Sequence, residues 1–287
     1  MRITLGIKLR RNIAKQQRRM SAAKLLPIGP VVAYGHPKTA TRSVELALRS
    51  VPGAKVFHSH MLMAKHFTRK NNIFVPPTAS GLCLEDQPMQ WAVSDALKAG
   101  ERITLVSTVR DPVAVNVSWF FFGLQRWFRS KRPINADLIP FEKLVSVFRE
   151  DFPHQGILNW YTEEWAKVTG VDTGALGDIQ KIGHQTVPFA NGKACVLSAH
   201  LEDDQKAIVL DTLFGLTRGT VEVPKINLGL NRKNPEIYER LKIHIASDDE
   251  YLEKIYASAY AQNFFSHEQI ESFRSSWKAI ANRGSLS

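Results

Sequence analysis

The sequence predicts an α/β fold: a parallel sheet in a three-layer arrangement, flanked by helices, with a helical C-terminal part. Short apolar runs alternate with segments of helical character, and this pattern favours a parallel sheet covered by helices. The clearest run, Ile103–Val109, is rich in β-branched residues and leads directly into Arg110-Asp111-Pro112. With 287 residues, of which 44% are hydrophobic, the chain is long enough to bury one sizeable core. We therefore expect a single domain over residues 29–287.

Apolar runs and helix signals place the elements in order. The first part of the chain is predicted to contain strand 31–34, helix 41–50, strand 55–60, a mixed segment 61–100 and strand 103–109. Asp111 as N-cap and Pro112 at the first helical position then begin a helix, because both residue types favour those positions. The second part is predicted to contain helical pieces over 141–170, a hairpin over 184–198 that turns at Asn191-Gly192, a helix over 202–215, a loop over 220–235 and helices over 236–281.

The positive charge of the chain is concentrated at its start. The net charge is +11, and residues 1–24 carry eight basic and no acidic residues, which leaves 30 basic against 27 acidic residues for the rest. Leu5, Leu9 and Ile13 recur every four residues, so this arm (residues 1–28) forms either a basic amphipathic helix on an anionic surface or a flexible, solvated tail. Translation from Met20 would remove most of the arm. We expect a cytoplasmic protein whose arm makes peripheral contact with anionic lipid at the inner face of the membrane.

Composition argues against several classes of protein. No run approaches the roughly 20 apolar residues of a membrane-spanning helix, and the arm lacks the apolar stretch of a secretory signal. Cys83 and Cys195 are far apart and lack metal-ligand spacing, so neither a disulfide framework nor a zinc site is expected. The near-neutral body gives little support for a basic face, and we expect no nucleic-acid partner.

The segment GHPKTATRS, residues Gly35–Ser43, lies between a predicted strand and a predicted helix. Backbone N–H groups at such a turn converge on a phosphate-like anion, and the helix dipole adds to the attraction. Lys38 supplies a positive charge, and Thr39, Thr41 and Ser43 supply hydroxyl donors. The loop differs from the nucleotide-binding sequence G-x-x-x-x-G-K-[ST], because its lysine comes early and no Gly-Lys pair exists. Alone, it also fits an ordinary turn with Thr41 as the helix cap.

A second segment follows the strand at 103–109. Arg110 stands at the end of this strand, and Ser118 lies eight residues later on the following helix. Together the two segments resemble the P-K-[ST]-G-T-T loop and the R-[DN]-P-x5-S segment of sulfotransferases that use 3′-phosphoadenosine 5′-phosphosulfate (PAPS). The resemblance implies a P-loop sulfotransferase-like fold, in which the first loop holds the 5′-phosphosulfate while Arg110 and Ser118 hold the 3′-phosphate. The chain departs from the family at Ala40, where glycine is common, and at Arg42-Ser43, where Arg42 adds charge beside the sulfuryl group.

Three later stretches resemble one bacterial group of sulfotransferase-like proteins. NWYTEEW (159–165), LNRKNPEIYERLK (230–242) and residues 251–277 are similar to bacterial capsular polysaccharide synthesis proteins that are sulfotransferase-like. This similarity implies PAPS as co-substrate and a hydroxylated carbohydrate as acceptor. The similarity also implies that Arg232 and Lys233 lie over the 3′-phosphate. This pair fits an exposed turn as well. The residues implied to contact the nucleotide are Lys38, Thr39, Ala40, Thr41, Arg42, Ser43, Arg110, Ser118, Arg232 and Lys233.

Two histidines are candidates for the acid–base step of sulfuryl transfer. His58 and His60 end the predicted strand 55–60 and share a face, because alternate residues of a strand point to the same side. Histidine suits removal of a hydroxyl proton near neutral pH. The H-S-H spacing is similar to the K-T-H of cytosolic sulfotransferases, which ends in their catalytic histidine. The resemblance implies catalytic roles for His60, His58 and Lys38, and either histidine also fits a structural role.

Alternative bases are Glu85 and Asp86, because some carbohydrate sulfotransferases use glutamate. His36, inside the loop, fits a role in positioning it. No metal is expected for sulfuryl transfer, because cationic side chains and loop amides neutralise the leaving phosphate. Two other functions stay open: a nucleotide-dependent kinase with an atypical loop, and a non-catalytic glycan- or membrane-associated protein of the same fold.

Overall fold

The computed structural model describes residues 2–62, 68–70, 73–75, 87–130, 132–226 and 235–284. The chain divides into two compact units. The first unit comprises Met1–Val109 and Trp160–Lys225, and the second comprises Arg110–Asn159 and Ile226–Ser287. The prediction that residues 29–287 form a single domain stays a prediction.

The strands lie in the first unit. They are β1 (Gly29–Tyr34), β2 (Ala54–Ser59), β3 (Thr68–Lys70), β4 (Ile73–Val75), β5 (Ile103–Val109), β6 (His184–Phe189) and β7 (Gly192–Ser198). Among the described residues, β3 and β4 form a separate antiparallel pair, and the other strands form a five-stranded sheet in the order β2-β1-β5-β7-β6. The first three pairings of this sheet are parallel and the last, β7 with β6, is antiparallel. The α/β prediction is thus confirmed, with a mostly parallel sheet.

Helices flank the sheet and make up the C-terminal part of the chain. They are α1 (Arg2–Ala23), α2 (Thr41–Leu48), α3 (Gln87–Lys98), α4 (Pro112–Phe122), α5 (Leu124–Trp127), α6 (Phe141–Glu150), α7 (Gln155–Trp160), α8 (Ala166–Thr169), α9 (Asp178–Ile182), α10 (Asp203–Phe214), α11 (Pro235–Ala246), α12 (Asp249–Tyr256), α13 (Ala259–Phe264) and α14 (His267–Gly284). A π-helical turn over Tyr161–Trp165 joins α7 to α8. No helix in the described part of the chain is both long enough and apolar enough to cross a membrane.

The central strands of the sheet are buried along their whole length. Every residue of β1 and of β5 is buried, as expected for parallel strands covered on both faces. On one face, Val31 and Val106 pack with Val44 and Leu48 of α2 in a shared apolar core. Since β1 lies between β2 and β5, its carboxyl end is where the order of strands along the sheet reverses. Ligands of open α/β sheets bind at such a point.

The N-terminal arm is helical over residues 2–23. Met20 and Ala23 are buried, and α1 packs against α3 and against the edge formed by β1 and β2. Gln17 donates a hydrogen bond to Asp95, 3.0 Å away. The last turns of the arm are therefore part of the first unit.

The second unit is helical. Asp111 caps α4 as predicted, because its Oδ1 accepts a hydrogen bond from Val113 N at 3.0 Å. Trp119 and Phe120 of α4 are buried against Phe152 with their rings edge to face. α11 packs against α14, so the predicted helical C-terminal part is confirmed.

Boundaries differ from the prediction by one or two residues. The predicted helix 41–50 ends at Leu48, and the predicted strand 55–60 spans Ala54–Ser59. The turn of the β6–β7 hairpin lies at residues 190–191, and Gly192 already belongs to β7. A side chain at Gly192 would place its Cβ only 2.2 Å from Ile103 O. Gly192 thus serves the close approach of β5 rather than the turn itself.

Candidate functional site

The loop between β1 and α2 has an unusual backbone. Lys38 and Ala40 both adopt the left-handed conformation, with φ of 73° and 71°. Glycine is the residue that adopts this conformation at no steric cost. Ala40, which stands where the sulfotransferases commonly have glycine, therefore has a backbone conformation that favours glycine. Gly35, at the start of the loop, is required for packing, since a Cβ there would lie 2.6 Å from Thr41 Cγ2.

Thr39 holds the loop from inside. Its hydroxyl donates to His36 O at 2.8 Å and accepts from the Thr108 hydroxyl at 3.0 Å. Both threonines are buried. A hydroxyl has a single proton to donate, and the proton of Thr39 is committed to the loop in this structure. Its side chain thus stabilises the loop, and its contact with the nucleotide stays a prediction.

The amino end of α2 is left uncapped by side chains. The N-cap is Ala40 rather than Thr41, and within the described residues it makes no side-chain capping bond. The N–H groups of Thr41 and Arg42, in the first turn, have no intrahelical partner. They and the positive end of the helix dipole are the groups that bind an anion at a helix start. Ser43, half-buried, lies in the same turn.

His60 is held beside this loop. Its Nδ1 lies 2.6 Å from Gly35 O, and since a carbonyl only accepts, Nδ1 carries the proton. The Trp160 indole donates to His60 O at 2.9 Å. Burial above all, then the neighbouring His58, lowers the pKa of His60 to about 3, and Lys38 contributes in the same direction. His60 is therefore neutral near pH 7 and keeps Nε2 as a proton acceptor.

His58 lies next to His60, with ring centroids 4.6 Å apart, as predicted from their shared face. Its Nδ1 is 3.0 Å from Glu45 Oε2. Its Nε2 is buried and has no hydrogen-bond partner among the residues that the structure describes. The two histidines are thus adjacent, but His58 is hydrogen-bonded to a carboxylate and His60 to a backbone carbonyl.

Glu45 is the residue of this site that the sequence analysis missed. Its carboxylate is buried and accepts hydrogen bonds from Arg42 at 2.7 Å, from Arg49 at 2.7 Å and from His58. Burial acts to raise the pKa of Glu45, but the bonds from His58, Arg49 and Arg42 outweigh it and hold the pKa below its usual range. A signal was present, because Glu45 occupies a core-facing position of α2, next to Val44, where an unpaired charge would be costly.

His36 is buried inside the loop, with Nδ1 2.8 Å from Pro37 O. Burial lowers its pKa to about 4, so it too is neutral near pH 7. This placement agrees with the predicted positioning role.

Behind the loop, a buried polar group supports the ends of β1 and β2. The Tyr34 hydroxyl donates to Glu164 Oε1 at 2.7 Å, and Leu62 N donates to the same oxygen. Glu164 lies on the π-helical turn, which carries the NWYTEEW stretch. Trp160, one turn earlier, packs its ring 4.9 Å from that of Tyr34. The NWYTEEW stretch is therefore a structural support for the segment that carries His60.

Arg110 begins the second unit, and its backbone is fixed by one side chain. The Tyr260 hydroxyl donates to Arg110 O at 3.0 Å and accepts from Arg110 N at 3.1 Å. The next residue, Asp111, is buried and accepts from Tyr256 at 2.9 Å and from Trp277 at 2.9 Å. Burial raises the pKa of Asp111, against the effect of these bonds. The sequence predicted the cap and could not predict these partners, which lie about 150 residues away.

A cleft of about 410 Å³ in the second unit contains Arg110. Lys242 and Tyr238 also line it, together with Ala114 of α4. Ser118 is one turn beyond Ala114 and so lies on the same face of the helix. The cleft combines cationic, acidic and aromatic side chains, and its Lys242, which the sequence did not single out, pairs with Glu239 of the same cleft at 2.8 Å.

Four predicted site residues lie outside the described residues: Glu85, Asp86, Arg232 and Lys233. Within the described part of the chain, no group of three or more His, Cys, Asp or Glu side chains has an arrangement suited to a metal ion.

Comparisons of the chain with protein-family models, with curated proteins and with solved structures found no match. The residues and geometry of the two segments are therefore the basis for assigning a function.

Proposed function

We propose that this chain is a sulfotransferase that moves the sulfuryl group of PAPS to a hydroxyl acceptor on a carbohydrate such as a capsular polysaccharide. The observation that carries the proposal is the loop Gly35–Ser43. It combines a lysine, two left-handed residues and an uncapped helix start at the carboxyl end of a central parallel strand. This combination supports binding of a phosphate-like anion.

In the proposed complex, the N–H groups of Thr41 and Arg42 and the dipole of α2 attract the phosphosulfate. The Lys38 ammonium neutralises charge that develops on the bridging oxygen as the bond to sulfur breaks. Arg110 and Ser118 bind the 3′-phosphate in this proposal. The acceptor oxygen attacks sulfur while its proton passes to a histidine, and 3′-phosphoadenosine 5′-phosphate (PAP) leaves.

One observation speaks against the kinase alternative. A magnesium nucleotide site uses the hydroxyl that follows the loop lysine as a metal ligand. In this chain that hydroxyl belongs to Thr39 and is engaged with His36 O and Thr108. The loop is thus better suited to an anion that is bound without a metal.

Thermal unfolding of the full chain with PAP, ATP plus magnesium, or AMP tests the proposal. A ligand present at 100 times its dissociation constant stabilises the folded state by about 2.7 kcal/mol. We expect PAP to raise the unfolding temperature most, AMP less and magnesium-ATP least. A larger effect of magnesium-ATP would favour the kinase, and no shift with PAP would favour a non-catalytic protein of this fold.

A further inference from the structure

Glu45 accepts hydrogen bonds from His58 of the candidate site and from two neighbouring arginines through a single buried carboxylate. Only 2% of its side chain is exposed. Oε2 accepts from Arg42 and from His58 Nδ1, and Oε1 accepts from Arg49. A carboxylate only accepts hydrogen bonds, so Nδ1 of His58 carries the proton. In the neutral ring, Nε2 therefore has the lone pair.

The two histidines of the site are not equivalent in this respect. His60 donates to a neutral carbonyl, that of Gly35, whereas His58 donates to the carboxylate of Glu45. When an imidazole accepts a proton, a carboxylate bound to its other nitrogen orients the ring and stabilises the imidazolium that forms. A carbonyl stabilises that charge less, because bonds between ionised partners are roughly twice as strong as bonds to neutral groups.

His58 Nε2 is also a buried acceptor without a partner among the described residues. Buried polar atoms without a partner are uncommon and call for an explanation. The hydroxyl of a bound acceptor would supply the missing donor.

We propose that Glu45 is the positioning residue of the site and that His58, through Nε2, takes the proton of the acceptor hydroxyl. This inference rests on the proposed function. In the transfer step, the acceptor O–H bond breaks and its proton goes to Nε2. The acceptor oxygen forms a bond to sulfur, and the bond between sulfur and the bridging oxygen breaks with its electron pair going to the 5′-phosphate of PAP.

The first test measures the tautomer of His58 in the full chain without ligand, by nitrogen-15 NMR of labelled histidine. Wild type should show His58 protonated at Nδ1. Glu45→Gln, which keeps the shape and removes the charge, should give a mixture of tautomers. Arg49→Gln is the matched control, because it removes an exposed donor to the same carboxylate and leaves the bond to His58 in place. An unaltered His58 tautomer in Glu45→Gln would overturn the positioning role.

The second test uses sulfuryl exchange from aryl sulfates to PAP, the reverse of transfer. In this direction the His58 imidazolium protonates the departing aryl oxygen, since the reverse reaction passes through the same transition state. Phenyl sulfate needs this proton, whereas 4-nitrophenyl sulfate releases a stable phenolate without it. Glu45→Gln and His58→Gln should slow exchange with phenyl sulfate at least tenfold. Exchange with 4-nitrophenyl sulfate should fall less than threefold, and Arg49→Gln should leave both rates within twofold.

Equal losses with the two aryl sulfates would overturn the proton-transfer role of His58, as would full activity of His58→Gln with phenyl sulfate. Calorimetric titration of wild type with PAP separates this failure from a failure of the proposed function. If PAP does not bind, the proposed function is wrong, and the NMR comparison still decides whether Glu45 sets the tautomer of His58.

Discussion

At the scale of single residues, the loop that follows β1 stores conformational strain. Lys38 and Ala40 both have positive φ without being glycine. A left-handed conformation costs an L-residue roughly 1–2 kcal/mol. Strained residues of this kind cluster at functional sites, where the surrounding structure holds them. Here Gly35, Thr39 and Thr108 provide that support through close packing and hydrogen bonds.

Replacing Ala40 by glycine should stabilise the chain. The relief of roughly 1–2 kcal/mol of strain exceeds the roughly 0.4–1 kcal/mol of extra entropy in the unfolded chain, so we expect a net gain of about 0.5–1 kcal/mol. Chemical denaturation measures this change. The control is Ala279→Gly, at an exposed position inside α14, which should lower stability by roughly 0.5–1 kcal/mol. Destabilisation by Ala40→Gly would contradict the left-handed conformation.

Lys38 and Arg110 should make different contributions to nucleotide binding. Each is proposed to make a charge-assisted contact worth roughly 1.5–3 kcal/mol, so Lys38→Ala and Arg110→Ala should each weaken PAP binding by tenfold or more. Lys38→Ala should weaken AMP binding as well, because both ligands carry a 5′-phosphate. Arg110→Ala should remove the preference for PAP over AMP, and calorimetry with both ligands measures this. Equal losses for the two nucleotides in Arg110→Ala would contradict its assignment to the 3′-phosphate.

At the scale of elements, Asp111 links three helices of the second unit. It caps α4 and accepts hydrogen bonds from Tyr256 of α12 and Trp277 of α14. Asp111, the residue next to Arg110 in the chain, therefore also joins α4 to α12 and α14. This arrangement explains how a cap far from the C-terminus contributes to the packing of the C-terminal helices.

Asp111→Ala should destabilise the chain by roughly 2–5 kcal/mol, because it removes a cap and leaves two buried donors without an acceptor. Asp248, the N-cap of α12, is the matched control. Its side chain accepts from Tyr251 N and also pairs with Arg149 at 2.7 Å, so Asp248→Ala should cost roughly 1–2 kcal/mol. Denaturant titration of both variants compares them, and similar losses would contradict the linking role of Asp111.

The arm is an element with two different faces. Met20 and Ala23 are buried, while Arg11, Lys15 and Arg18 are exposed at helical spacing on another side of α1. We expect the triple change of these three residues to glutamine to reduce association with anionic vesicles, since each basic group near such a surface contributes about 1 kcal/mol. Substitution is preferable to deletion, because deletion would also remove the buried residues.

Sedimentation with phosphatidylserine vesicles at two salt concentrations measures this association. Lys278→Gln together with Arg283→Gln on α14 is the control, because both are exposed basic residues outside the arm. Salt-insensitive binding, or an equal loss in the control, would contradict a membrane role of the arm. Nucleotide binding should be unchanged in the triple variant.

At the scale of the whole molecule, stability should depend on pH through buried histidines. Burial lowers the pKa of His36 and of His154 to about 4 and that of His60 to about 3. In the unfolded chain, histidine titrates near pH 6.5, so below that pH the unfolded state binds protons that the folded state does not. Stability should therefore fall as the pH decreases from about 6.5 to 4, by up to about 1.4 kcal/mol per pH unit for each histidine.

Two carboxyl groups also contribute to the pH dependence of stability. The lowered pKa of Glu45 adds stability that is lost only below the unfolded pKa of about 4.5, and the raised pKa of Asp111 acts in the opposite direction to the histidines. His36→Asn, which keeps a polar group near Nδ1, should reduce the slope between pH 6.5 and 5 by the contribution of one histidine. Denaturation at several pH values checks this, and an unchanged slope would contradict a neutral, buried His36.

Much of the fold could be predicted because its signals are local. The β-branched run of β5, the cap at Asp111 and the turn residues between β6 and β7 act through neighbouring residues of the chain. The loop at residues 35–43 could be located for the same reason, since a strand, a lysine and a helix start follow each other directly. The spacing of Arg42, Glu45 and Arg49 is also local, but the contact of Glu45 with His58 could not be predicted, because it depends on α2 lying beside the end of β2.

The sequence alone established the α/β class, the chain order of the five strands of the main sheet, the loop that carries Lys38 and the pairing of His58 with His60 on one face. These follow from periodicity and spacing, which a chain carries before it folds. The tertiary structure decided which hydrogen-bond partner each group has: Glu45 for His58, Gly35 O for His60 and the Tyr260 hydroxyl for the Arg110 backbone. Partners of this kind come from segments 13 to 150 residues apart, and only the packing of the elements brings them together.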